Sequence, residues 1–174
     1  MEPVRFPEGD LPLGHGDVEA TMQLCGLVPS LAAERAAARR LFSGEGHPEP
    51  EQYLPGVGEE PGRERRFMAW FAFQRRLPEG DTPAMRAVQS LLTGREEQVA
   101  LRAFAGARYV TAVVTKLRRG RSFVLEVEQE RFPIEFPEMA NRLRQGEIIV
   151  TGVLPLPDGV WLMTPGWVSL GMTA

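Results

Sequence analysis

The chain has 174 residues, enough for one domain of ordinary size or two small ones, and 43% of them are hydrophobic, which allows a packed core. A net charge of -3 argues against a surface devoted entirely to nucleic acid. One cysteine and two histidines exclude an internal disulfide and a structural zinc site of the Cys/His type.

Charge is distributed unevenly along the chain. Residues 1–62 contain 4 arginines and 11 acidic residues, whereas residues 63–174 contain 16 basic and 12 acidic residues. We expect the acidic N-terminal part and the mildly basic C-terminal part to attract each other or to attract different partners. No signal-peptide layout and no apolar run of about 18 residues occur, so we predict a cytoplasmic protein without a membrane segment.

Residues 1–62 are predicted to be an acidic helical segment with a long loop. Asp17 is a candidate N-cap for the helix DVEATMQLCGL, in which Val18, Met22 and Cys25 share one face. Ser30 is a candidate cap for a second helix, SLAAERAAARRLF. The stretch GEGHPEPEQYLPGVGEEPG that follows is rich in Pro, Gly and Glu, which predicts a linker or loop.

Residues 63–106 are predicted to be helical and begin with the aromatic block RERRFMAWFAFQRRLP. Phe67, Trp70 and Phe71 share one side of this helix at i, i+3, i+4 spacing, and Arg66 borders them. These four residues are candidates for a protein-binding surface, since Trp, Phe and Arg are enriched at binding hot spots. The preferred interpretation is a seam that fastens the helices to the rest of the protein. Thr82 is then predicted to cap a further helix.

Residues 107–174 change to a period of two, which predicts strands. A hairpin turning at Arg119-Gly120 places Val114 opposite Leu125 and Lys116 opposite Phe123. A strand RFPIEF, a helix PEMANRLRQG and a second hairpin through residues 157–159 follow. The sequence therefore predicts an α+β fold, in which N-terminal helices precede a small antiparallel β-barrel of OB or SH3-like shape with one inserted helix.

Three stretches resemble a domain of uncharacterised bacterial proteins that often carry a zinc-binding SEC-C tail. They are RFMAWFAFQRRLPEGDTP, RYVTAVVTKLRRGRSFVLEVE and LRQGEIIVTGVLPLPDGVWLMTPG, and the resemblance covers roughly residues 63–170. It implies a helical part followed by a β part and no particular activity. The cysteine-rich tail is absent from this sequence, so no zinc role is implied.

Candidate reactive groups are few, and the sequence predicts no catalytic residue, metal site or cofactor. His15 and His47 stand in Pro/Gly-rich stretches and are interpreted as solvated, while a buried Cys25 thiol would have a raised pKa and be inert. Glu126, Glu128 and Glu130 alternate as if along one strand. That arrangement is typical of a solvent face, or alternatively of a carboxylate site for a hard cation or an acid/base pair.

The stretch KLRRGR leaves two functional hypotheses open. The leading one is a non-catalytic interaction or adaptor protein whose partner and oligomeric state the sequence does not specify. The alternative is a nucleic-acid-binding module that uses the basic hairpin tip on the barrel, with arginines on phosphates and an aromatic ring under a base. The candidate residues for the alternative are Lys116, Arg118, Arg119, Arg121, Arg131 and Trp161.

Overall fold

A computed structural model describes residues 13–42, 62–89 and 94–174 of the chain. The predicted linker, apart from Gly62, and His47 lie outside the described residues. Helices occupy most of the first two described stretches and the start of the third. Their bounds are α1 His15–Leu27, α2 Ala32–Phe42, α3 Gly62–Phe73, α4 Pro83–Gln89 and α5 Gly94–Ala105, with a 3₁₀ turn at Pro29–Leu31 before α2.

Two helix starts test the predicted caps. The Thr82 hydroxyl accepts the backbone N–H of Met85 at 3.3 Å, which confirms the cap of α4. Asp17 does not precede its helix, because α1 already begins at His15. Its carboxylate instead reaches back to accept the Gly14 N–H at 2.7 Å. An acid in the first helical turn also stabilises the positive end of the helix dipole, so Asp17 still anchors this terminus.

Six strands follow the helices: β1 Arg108–Arg118, β2 Ser122–Val127, β3 Glu130–Glu135, β4 Glu147–Pro155, β5 Trp161–Met163 and β6 Val168–Met172. A short helix, α6 Pro137–Ala140, lies between β3 and β4. The spatial order β4-β1-β2-β3 is a Greek key, and β5 pairs with both β3 and β4 to close a five-stranded barrel. The predicted α+β class and small barrel are confirmed, and the strand order is that of an OB-type barrel.

One strand pair differs from a wholly antiparallel barrel. β3 and β5 run parallel through the pairing of Ile134 with Trp161, which makes the barrel mixed. The C-terminal strand β6 lies outside the closed ring and pairs with the first half of β4. The stretch VWLMTPGWVSL, predicted to act as one partner of β4, is therefore divided between β5 and β6.

The first hairpin has the predicted register over most of its length. Val114 lies opposite Leu125, as expected from the apolar alternation. The register shifts between Thr115 and Arg118, and Lys116 has a φ of 48°. Lys116 therefore does not lie opposite Phe123 as predicted, because the bulge inserts residues on one strand only.

Two buried apolar clusters meet at what we call the seam, the contact between the helices and the barrel. One cluster is helical but includes Leu154, Leu156 and Leu162 of the barrel. The other fills the barrel interior. At the seam Gly166, between β5 and β6, lies so close to α3 that a Cβ there would be 2.8 Å from Cα of Arg66. Within the described stretches, no helix has the length and apolarity needed to cross a membrane.

Candidate functional site

The β1–β2 hairpin tip packs beside the connection between α6 and β4. The Arg119 guanidinium donates to the carbonyl oxygen of Asn141 at 3.2 Å, and the Phe136 N–H donates to the Arg121 carbonyl at 3.1 Å. The Leu117 N–H and the Gln145 side-chain oxygen are 3.4 Å apart. These contacts gather one basic cluster at this end of the barrel. It consists of Lys116, Arg118, Arg119, Arg121, Arg142 and Arg144, all of them exposed.

None of these six cations forms an ion pair with an acid in the part of the chain that the structure describes. Six other arginines do pair, for example Arg65 with Glu19 at 2.9 Å and Arg108 with Glu130 at 2.6 Å. Three acidic residues border the basic cluster: Glu135, Glu138 and the buried Glu147, whose carboxylate accepts the Arg144 N–H. The cluster therefore keeps a net positive charge, whereas these six other arginines each lie beside a carboxylate.

Two candidates of the nucleic-acid hypothesis lie apart from this cluster. Arg131 is next to the β2–β3 turn, opposite Glu126, and its guanidinium is 3.5 Å from that carboxylate. Four residue steps along β2 separate Glu126 from the hairpin tip at Ser122, or about 13 Å. Trp161 closes the barrel instead, because it pairs with Ile134 and its ring meets Phe132 edge-on at 4.8 Å. The structure thus brings Arg118, Arg119 and Arg121 together with Arg142 and Arg144.

The protein-binding candidates Arg66, Phe67, Trp70 and Phe71 are all buried in α3. Phe67 is 1% exposed and Trp70 3% exposed, and both rings pack against Phe42. The same buried cluster includes Leu154, Leu156 and Leu162 of the barrel, which supports the preferred interpretation of the block as a seam. A protein-binding role for these four residues stays a prediction. Their burial does not favour it, because a buried side chain is not available to a partner.

The three glutamates do not alternate along one strand as the sequence suggests. Glu126 is in β2, Glu128 lies in the turn with a φ of 53°, and Glu130 begins β3. The Arg108 guanidinium holds the pKa of Glu130 below its usual value. Over the described ranges, no group of three or more His, Cys, Asp or Glu side chains is placed to hold a metal ion.

Cys25 and His15 are both buried to a large extent, with different consequences. The Cys25 thiol is fully covered in the helical cluster, and burial raises its pKa to about 12, as expected for an inert thiol. His15 is the first residue of α1 and not a solvated loop residue, which corrects the interpretation from its Pro/Gly-rich surroundings. Burial lowers the pKa of His15 to about 4, so the ring is neutral near pH 7.

His15 borders a groove of about 1020 Å³ between the helices and the barrel. Its ring stacks on Phe136, and its Nε2 accepts the Met163 N–H at 3.0 Å. On another side of the groove, the Arg142 guanidinium lies 5.6 Å from the centre of the Trp167 ring. Sequence reasoning missed this groove, since its residues come from α1, α3, α6 and the segment after β5.

No family model, curated protein or solved structure matches this chain. The resemblance to the SEC-C-associated domain therefore stays a prediction.

Proposed function

We propose that this protein binds single-stranded nucleic acid through the basic cluster at the end of its barrel. The observation that carries the proposal is the gathering of six exposed cations, none of them in an ion pair with a described acid, into a cluster of net positive charge. Each such cation displaces a condensed counterion when it neutralises a phosphate, and this release drives binding. Paired arginines such as Arg65 and Arg108 would first have to leave a carboxylate.

The position of the basic cluster in the barrel supports the same proposal. In OB-type barrels the β1–β2 loop is one of the elements that bind oligonucleotides, together with the outer face of β2 and β3. Here that strand face, described throughout, carries Val124 opposite Pro133 and Glu126 opposite Arg131, and it has no outward aromatic ring. We therefore expect a bound nucleic-acid strand to run along the hairpin tip and α6, and not across the outer face of β2 and β3.

The test is the salt dependence of binding to a single-stranded DNA of mixed sequence. If all six cations contact phosphates, the slope of log K against log salt is about -4, and affinity falls on the order of 300-fold between 50 and 200 mM salt. The double variant Arg118→Gln/Arg121→Gln removes two contacts and should fall only about 50-fold over the same range.

A matched control is Arg95→Gln/Arg102→Gln, which changes the net charge equally with two exposed arginines of α5. Gly106, just after α5, lies against Pro155 at the end of β4, whereas the hairpin tip lies beside the residues before β4. The two ends of β4 are roughly 25 Å apart. Equal effects of both double variants, or no binding at 50 mM salt, would refute the proposal.

Binding to a protein partner is the second candidate, and β6 is the observation that favours it. Among the described residues β6 pairs only with β4, so its other edge is open to strand addition. Leu170 and Met172 on this strand are 43% and 51% exposed. Under this candidate, Leu170→Lys/Met172→Lys abolishes partner capture and leaves DNA binding unchanged.

A further inference from the structure

The groove beside α6 combines flat rings with sulfur-containing side chains. Phe136 and Trp167 are half-buried, and Met139 and Met163 are buried beside them. His15 already covers one side of Phe136 at a ring distance of 3.8 Å. Aromatic faces of this kind stack on nucleobases with little regard to sequence, because every base has a π face.

The two cations and two acids that line the groove sum to zero charge, and one of the cations lies beside an aromatic ring. Arg65 and Glu19 form a two-pronged pair at 3.0 and 2.9 Å, and His15 is neutral near pH 7. Glu138 adds one exposed carboxylate. Arg142 remains without an acid partner among the described residues, and it lies against Trp167.

Arg142 belongs to both the groove and the basic cluster. Its neighbour in the chain, Asn141, accepts the hydrogen bond from Arg119 at the hairpin tip. The side chain of Arg142 extends to Trp167, which lines the groove. A phosphate bound at the hairpin tip and a nucleobase bound in the groove would therefore belong to neighbouring nucleotides of one nucleic-acid strand.

We propose that the groove takes up one unstacked nucleobase from the strand whose phosphates lie on the basic cluster. The Arg142 guanidinium lies over the Trp167 ring, so the base stacks on Trp167 as Arg142 moves from the ring to the adjoining phosphate. This inference rests on the proposed nucleic-acid binding and adds to it a site for the base. It gives the protein a preference for single strands over duplexes, since a paired base cannot leave its stack without a cost.

The test compares two DNA strands of about 12 nucleotides, within the range that one OB fold covers, with identical phosphates. One is oligo(dT) and the other is abasic throughout. The wild-type chain should bind oligo(dT) about 5- to 150-fold more tightly than the abasic strand. Trp167→Leu should lose most of that preference, and Trp167→Phe, which keeps a ring, should retain it. The salt slopes for all three proteins should agree.

Each outcome decides between the two proposals. Equal affinity of the wild-type chain for both strands overturns the base site and leaves the phosphate contacts standing. Absence of binding to either strand at low salt overturns the proposed function as well. A preference for oligo(dT) that persists in a Trp167→Leu variant with an unchanged melting temperature places the base outside the groove. If the Trp167→Leu variant unfolds, tryptophan fluorescence of the wild-type chain provides the same test. Quenching by oligo(dT) but not by the abasic strand supports a base in the groove. Equal quenching by both strands counts against it.

Discussion

The rings of His15 and Phe136 stack with their centres 3.8 Å apart and their planes 18° from parallel. His15 begins the first helix, and Phe136 directly follows strand β3, so this contact joins the helices to the barrel. The same imidazole accepts the N–H of Met163 through Nε2. That hydrogen bond requires an unprotonated Nε2, because a protonated nitrogen has no lone pair to offer.

We therefore expect acid to destabilise the protein through His15. Its pKa is about 4 in the fold against about 6.5 when unfolded, because burial disfavours the charged ring. The unfolded chain thus takes up a proton between pH 6.5 and 4 that the folded chain does not. This group stabilises the fold fully above pH 6.5 and loses on the order of 2–3 kcal/mol of that stabilisation by pH 4.5.

Urea unfolding at pH 7.0, 5.5 and 4.5 measures the effect, with His15→Gln as the comparison. Glutamine retains a side-chain oxygen that can accept an N–H but does not titrate. His47 and the carboxylates remain in both proteins, so the difference in slope belongs to His15. Parallel pH profiles for the two proteins would contradict the assignment.

Trp70→Ala should destabilise the whole protein by about 3–5 kcal/mol, since a buried indole leaves a cavity in the helical cluster. The matched control is Leu27→Ala, at a position 77% exposed, which should change stability by no more than about 0.5 kcal/mol. Denaturant unfolding measures both variants. A Trp70→Ala variant that kept its stability but lost a protein partner would favour the binding interpretation of the aromatic block.

Two glycines allow the seam to be tested against an internal reference. Gly166 and Gly159 have nearly equal φ values of 78° and 80°, so a side chain at either costs about 1–2 kcal/mol in backbone strain. A Cβ at Gly159 meets nothing within 4 Å, whereas at Gly166 it would lie 2.8 Å from backbone atoms of Arg66. Gly166→Ala should therefore cost clearly more than Gly159→Ala in denaturant unfolding. Equal losses of stability would show that the segment between β5 and β6 moves away from α3 at little cost.

Local features of the fold could be predicted from the sequence, because they depend on nearby residues. Alternation placed Val114 opposite Leu125, and the hydroxyl of Thr82 marked the start of α4. The bulge at Lys116 and the parallel pairing of Ile134 with Trp161 could not be predicted, since each depends on how the barrel closes. The alternation of apolar and polar residues along a strand carries no information about which strands meet when the barrel closes.

The candidate site divides in the same way. Arg118, Arg119 and Arg121 could be identified because their charge and the turn are adjacent in the chain. Arg142 joins them only through the contact of Arg119 with Asn141. Conversely, Arg131 looked equally suitable in the sequence, but strand pairing places it beside Glu126. The groove depends on a contact between His15 and Met163, which are 148 positions apart.

Cys25 offers a probe of how the helical part opens, since it is the chain's single cysteine. It is fully buried and its pKa is raised to about 12, so a thiol reagent at pH 8 meets neither an accessible sulfur nor a thiolate. With an opening free energy of about 5 kcal/mol, labelling should be on the order of several thousand times slower than in the unfolded chain.

Gly166→Ala should accelerate labelling at low denaturant more than Gly159→Ala does, if loosening the seam exposes the helical cluster. Labelling of the wild-type chain at the unfolded rate would contradict the burial of Cys25, and equal acceleration by both variants would mean that the helices open independently of the barrel.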